Sequence, residues 1–286
     1  MTPAPMTGPP MKGPPMKGPP MKGPPMKGPP MKGPPTNAPL ALETQGLCKS
    51  FGALAVARDI DFRLSVGARH ALIGPNGAGK TSFINLVTGR LKPSTGRVLL
   101  DGTDVTALSP EKRVKRGLGR TFQITSLFDG LSVLENVLLA VSERHGTAGD
   151  MLRFAGSRRD IVEESEALLE RLGLADQAAR PVRELPYGRQ RLVEIAIALG
   201  LKPRVLLLDE PAAGVPSAET GLILDIVEGL GRDIAVLIIE HDMDLVFRLA
   251  ERITVLVQGA VLVEGTPQEI AADPRVRAVY LGTEAA

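Results

Sequence analysis

From about Ala41 onward, short runs of β-branched and aliphatic residues alternate with stretches of helical periodicity. The segment ARHALIG at 68–74 is an apolar run that gives way to glycine-rich sequence. KTSFINLVTG at 80–89 follows with helical spacing, and Phe83, Ile84 and Val87 fall on one side. Two further continuous runs, RVLLLDE at 204–210 and AVLIIEH at 235–241, end in acids or histidine. Such runs are buried on both faces, the condition of strands in a parallel sheet covered by helices. Between about Gln123 and Gly200 the strand signals fade. IVEESEALLERLGL at 161–174 puts Ile161, Leu168, Leu169 and Leu172 on one helical stripe. The pattern predicts an α/β core with a mostly helical subdomain inserted at about 124–200. Near the end, VLVEG is followed by Thr266-Pro267-Gln268-Glu269, a helix start with an N-cap hydroxyl, Pro at the first helical position and a capping-box acid.

The opening of the chain breaks this pattern. Residues 6–10 read MTGPP, and MKGPP then repeats five times through residue 35. Lys, Gly and Pro interrupt too often for the apolar stretch of a signal peptide. The period of five excludes collagen, and the proline spacing across repeats misses P-x-x-P. Proline removes backbone donors and glycine adds chain entropy, so residues 1–40 are predicted to be a disordered tail and 41–286 a folded domain. The repeat reads as an expanded, tolerated segment, or as an upstream start among its several methionines. The sharper alternative is a cationic tether for anionic lipid headgroups. The whole chain has 34 Lys+Arg against 32 Asp+Glu, but the tail holds lysines and no acid, so the folded part is slightly acidic. That argues against a nucleic-acid partner. Cys48 is the single cysteine, which suits a reducing compartment. No run approaches the roughly 18 apolar residues of a spanning helix, so a soluble chain is expected.

Chemistry enters at Gly74-Pro75-Asn76-Gly77-Ala78-Gly79-Lys80-Thr81, which fits G-x-x-x-x-G-K-[ST] between a strand and a helix. Its glycines let backbone N–H groups converge on phosphate oxygens, and the helix N-terminus adds partial positive charge. Lys80 suits the β- and γ-phosphates and the Thr81 hydroxyl suits Mg²⁺; Ser82, next in the helix, joins the candidate phosphate-binding set. In LLLDE at 206–210, Asp209 is placed to hold the Mg²⁺ shell and Glu210 to polarise an attacking water. No N-K-x-D guanine-reading motif is present, which argues against a GTPase switch.

The P-loop, GRTFQ with Gln123, LPYGRQR at 185–191, LLLDEP at 206–211 and EHD at 240–242 occur in one order. Over about 42 to 282 the chain thereby resembles the ATP-binding cassette (ABC) ATPases. More narrowly, GRTFQ, a Tyr-Gly signature, DEPAAG and the ending VRAVYLG are similar to the ATP-binding subunits of branched-chain (hydrophobic) amino-acid uptake transporters. The resemblance implies a P-loop NTPase core: a mostly parallel sheet flanked by helices, with an antiparallel β portion and the helical subdomain. It also implies ATP with Mg²⁺ as cofactors, that Phe51 stacks on adenine, that Gln123 senses Mg²⁺ and the attacking water, and that His241 touches the γ-phosphate. Tyr187, Gly188 and Arg189 stand in the signature, which in the family reaches across a dimer to the other subunit's ATP. Pro186 occupies the signature's serine position and has neither hydroxyl nor backbone donor. Pro216 stands at the usual Asp of the dimer-contact loop. His70 and His145 match nothing and read as structural or exposed.

The implied assembly is a second ATP-binding subunit, identical or different, two transmembrane permease subunits and, indirectly, an extracytoplasmic solute-binding protein. The implied location is cytoplasmic, peripheral on the inner membrane's cytoplasmic face. An export ATPase, such as one for lipopolysaccharide, and a regulatory or scaffold ATP-binding protein are the alternatives.

Overall fold

The computed structural model describes residues 38–121, 127–147 and 159–281, and the architecture below is that of these residues. The tail at 1–37 therefore lies outside the described residues, as do Gln123 and part of the predicted helical insertion. The first two strands, β1 (Leu40–Phe51) and β2 (Leu54–Ser65), make a long antiparallel hairpin. The apolar run after it is β3 (Arg69–Ile73), buried at every position. The P-loop leads from β3 into α1 (Lys80–Thr88), whose Phe83, Ile84, Leu86 and Val87 are buried. Next come β4 (Thr95–Leu100) and β5 (Thr103–Asp104), which complete an antiparallel sheet in the order β2-β1-β4-β5. After α2 (Pro110–Val114), β6 (Leu118–Arg120) enters a second sheet.

Arg113 on α2 fixes α1 from behind. Its guanidinium is buried and donates to the carbonyls of Leu86, Val87, Thr106 and Leu108. Two of these belong to the last turn of α1, where carbonyls lack intrahelical partners and favour a cation.

The described residues between 127 and 200 hold helices and no strand, as the fading strand signal predicts. They are α3 (Val133–Arg144), α4 (Arg159–Arg171) and α5 (Tyr187–Gly200). Ile161, Leu169 and Leu172 of the predicted stripe are buried, and Leu168 packs partly buried against them. The chain then returns to the second sheet with β7 (Val205–Asp209), α6 (Ser217–Glu228), β8 (Ala235–Ile239), α7 (Met243–Leu249), β9 (Arg252–Val257) and β10 (Ala260–Gly265). Its order is β10-β9-β3-β8-β7-β6; the pairings from β9 to β6 are parallel, and β10 folds back antiparallel on β9.

Strand alternation divides the core. Leu206, Leu208, Val236 and Ile238 face the helical layer of α3 to α6, while Leu207, Leu237 and Ile239 face α1 and the antiparallel sheet. Ala71, Ile73 and Ile253 meet the C-terminal helices through a third cluster that also includes Val255, Ile270 and Val276. Those helices are α8 (Pro267–Ala272) and α9 (Pro274–Leu281). The predicted capping box at the start of α8 is present: Glu269 N–H donates to Thr266 Oγ1 at 3.3 Å, and Thr266 N–H donates to Glu269 Oε2 at 2.8 Å. No described helix is long and apolar enough to cross a membrane.

Candidate functional site

Register sets the site. Leu72 on β3 and Asp209 on β7 both pair with Ile239 on β8, so three neighbouring strands end at one level. Gly74, Glu210 and Glu240 leave the sheet there, at the carboxyl edge where open α/β sheets bind ligands. In the P-loop, Gly74, Gly77 and Gly79 have φ of 155°, 77° and 102°. A Cβ on Gly74 would lie 2.3 Å from the Leu256 carbonyl oxygen, and one on Gly79 would lie 2.7 Å from that of Val56. Close packing behind the loop thus demands glycine at both. At Gly77 a Cβ would meet nothing within 4 Å, so the left-handed backbone is the requirement there and the space in front is open.

No side chain caps the start of α1, and its first turn carries no acid. Its leading N–H groups are left to an anion. Lys80 Nζ donates to the Gly74 carbonyl at 2.6 Å and the Pro75 carbonyl at 3.3 Å. Burial pushes the Lys80 ammonium pKa down, while the charges of Glu210 and Asp209 pull it up. Asn76, Gly77 and Thr81 are exposed; Pro75, Gly79 and Ser82 are half-buried, and Ala78 is buried.

Asp209 is buried, and Arg120 Nη2 donates to its Oδ2 at 2.8 Å. Glu210 has φ of 49°, a left-handed conformation uncommon outside glycine, and its N–H donates to the Ile239 carbonyl at 2.9 Å. His241 Nδ1 lies 3.8 Å from Glu210 Oε1 and 3.8 Å from Glu240 Oε2. Its side chain is 65 % exposed, so the imidazole is open to solvent and to a ligand. Glu240 is buried; its carboxyl accepts the N–H groups of Ala212 and His241, and burial pushes its pKa up. Reading by motif assigns no role to Arg120 or Glu240, although both stand inside quoted motifs.

The remaining candidates are dispersed. Phe51 is exposed at the end of β1, with Lys49 Nζ 5.0 Å from its ring centroid. It pairs with Leu54 at the hairpin tip, two residues before Val56, whose carbonyl abuts Gly79. Tyr187, Gly188 and Arg189 open α5 in the helical layer. Pro186 is the N-cap and makes no side-chain cap. Arg189 Nη1 donates to the Gly173 carbonyl at 2.8 Å, and the Arg191 guanidinium sits 5.3 Å from the Tyr187 ring while Nη1 binds Glu194. His70 is buried, with Nε2 2.8 Å from Thr254 Oγ1, and burial first, then Arg252, lowers its pKa to about 3. His145 lies beside Glu164 on the helical layer.

A family model described as ABC transporter matches residues 57–213, more than half of the chain, including the P-loop and both acids. The chain belongs to the ABC transporter ATP-binding family. Its activity is ATP hydrolysis coupled to transport. A second model, described as branched-chain amino acid ATP-binding cassette transporter, matches residues 260–286. The high-affinity branched-chain amino acid transport ATP-binding protein BraF of Pseudomonas aeruginosa is 37 % identical over 249 residues, covering 84 % of this chain and 97 % of BraF. LivG of Escherichia coli strain K12, described in the same words, is 37 % identical over 248 residues, covering 84 % and 97 %. Among solved structures, the ADP conformation of an ATP-binding cassette of an ABC transporter has a TM-score of 0.75 at 30 % identity, covering 85 % of this chain and 99 % of that one. A nucleotide-free cassette has a TM-score of 0.74 at 31 % identity, with the same coverage.

Proposed function

We propose that the chain is the ATP-hydrolysing subunit of an uptake transporter for branched-chain amino acids or a small solute of related chemistry. The observation that carries the site is the common level of three strand ends, which gathers Lys80, Asp209 and Glu210 around one phosphate cradle. The solute follows from the relatives' names and the match at 260–286.

Adenine stacks on Phe51, and the phosphates enter the loop of Gly74 to Thr81. Lys80 exchanges the Gly74 and Pro75 carbonyls for β- and γ-oxygens, stronger partners for an ammonium. The oxygen donors of Thr81 and Asp209 fit Mg²⁺, which takes few protein ligands and keeps water and phosphate oxygens. When bound, the ion draws charge from the phosphates. Glu210 accepts a hydrogen bond from the attacking water and withdraws its proton as the water oxygen bonds to the γ-phosphorus and the bond from that phosphorus to the β–γ bridging oxygen breaks, releasing ADP. Its left-handed backbone aims the carboxylate, and Glu240 holds the adjoining amides. His241 contacts the γ-phosphate, and Gln123, outside the described residues, monitors the same water. Tyr187, Gly188 and Arg189 face the ATP of a second ATP-binding subunit.

Closure of that dimer drives two permease subunits at the membrane's cytoplasmic face, fed by an extracytoplasmic binding protein. Co-purification tests the assembly: two integral membrane proteins should accompany the chain, and their membranes should take up the solute only with ATP. Recovery without permeases points to a scaffold, and outward transport to an exporter; either contradicts the proposal.

A further inference from the structure

Arg120 ends β6 opposite Leu207, two residues before Asp209 on β7. Besides its bond to Asp209, its Nη1 donates to Asn85 Oδ1 on α1 at 3.1 Å. The Arg120 and Asp209 side chains are 9 % and 3 % exposed, so solvent screens their attraction poorly. The backbone below is fixed separately: Thr121 N–H donates to the Leu207 carbonyl at 3.0 Å.

A second buried arginine shows what a purely architectural one looks like here. Arg113 uses Nε, Nη1 and Nη2 on backbone carbonyls. Arg120 binds side chains instead, and its Nε is buried without a hydrogen-bond partner among the described residues. Its strongest partner is the carboxylate to which the proposed function gives magnesium.

We propose that Arg120 is the counter-cation of Asp209, and that magnesium and Arg120 compete for this carboxylate. The inference rests on the reading of Asp209 as a magnesium-holding residue. A guanidinium in contact with the carboxylate opposes a second cation electrostatically, and burial keeps that opposition strong. Arg120 is thus a positioning residue that sets how much magnesium the site demands. Asn85 retains the guanidinium when Asp209 turns to the metal.

The test is ADP binding by the full chain, titrated with Mg²⁺, in the wild type and in Arg120→Gln, Arg120→Lys and Asp209→Asn. Half-saturating magnesium should fall roughly tenfold in Arg120→Gln, the order expected when one adjacent charge is removed. Arg120→Lys keeps the charge but cannot span Asp209 and Asn85 as a fork does, so it should fall between Gln and the wild type. The Lys variant carries the test if the Gln variant does not fold. A magnesium demand that is unchanged or raised in the folded Arg120 variants overturns the inference. Asp209→Asn should raise the demand; if it does not, the reading of Asp209 fails and this inference with it. If Asp209→Asn raises it and the Arg120 variants do not lower it, only the competition is overturned.

Discussion

At the strand ends, backbone geometry holds polar groups toward an open space; at the start of α5, polar groups are tied to their own chain. Gly77 faces open space, Lys80 rests on carbonyls that phosphate can replace, and Glu210 is fixed in a left-handed conformation. Around the signature, Pro186 brings no donor, Arg189 binds Gly173 and Arg191 is engaged with Glu194. On the proposed reading, one chain supplies a nucleotide cradle but a weakened half-site for a partner. On the same reading, backbone N–H groups of Gly188 and the helix start are the signature's means of binding an anion.

The largest effect on nucleotide binding should come from Lys80→Ala, which breaks the stronger region. Removing a charge-assisted bond to the phosphates should weaken ATP binding roughly 100-fold or more, as read by nucleotide titration. Restoring the weaker region should sharpen the contrast. Pro186→Ser combined with Tyr187→Gly should raise turnover at the composite site with a partner's P-loop by about tenfold, a fraction of what one preorganised donor supplies. Unchanged turnover would mean that the signature is already competent.

His70 tests the rigidity beneath the cradle. The folded imidazole stays neutral down to about pH 3, whereas the unfolded one protonates near 6.5. Between those values the unfolded state binds the extra proton, so stability falls as pH falls, by up to about 1.4 kcal/mol per unit. Denaturant titrations of wild type and His70→Asn should show a shallower pH slope for the variant across that window. The smallest effect belongs to the tail: deleting residues 1–36 should leave Tm and turnover unchanged. A drop in either would show that the repeats contribute to the folded part.

Much of the strand-end region was legible because its chemistry lies in short, contiguous motifs. The runs 204–210 and 235–241 became β7 and β8, and the stripe around Ile161 became α4. Pairings across long sequence separations left no such trace. Arg120 meets Asp209 only because β6 lies beside β7, and Glu240 reaches the Ala212 amide only because β8 lies beside β7. The burial of His70 likewise depends on β9, which supplies Thr254. Adjacent charged residues in a motif do not reveal which one is buried and which one opens to ligand.

On the proposed reading, this chain's own strand ends hydrolyse the ATP that its P-loop holds. Glu210→Gln, assembled with the partner subunit, tests it by measuring ATP binding and turnover on the same preparation. Binding should persist, the ATP-loaded dimer should accumulate and hydrolysis at this site should slow by roughly 10²–10⁴-fold, the range for a lost general base. Near-normal turnover at the site formed by this P-loop would contradict it.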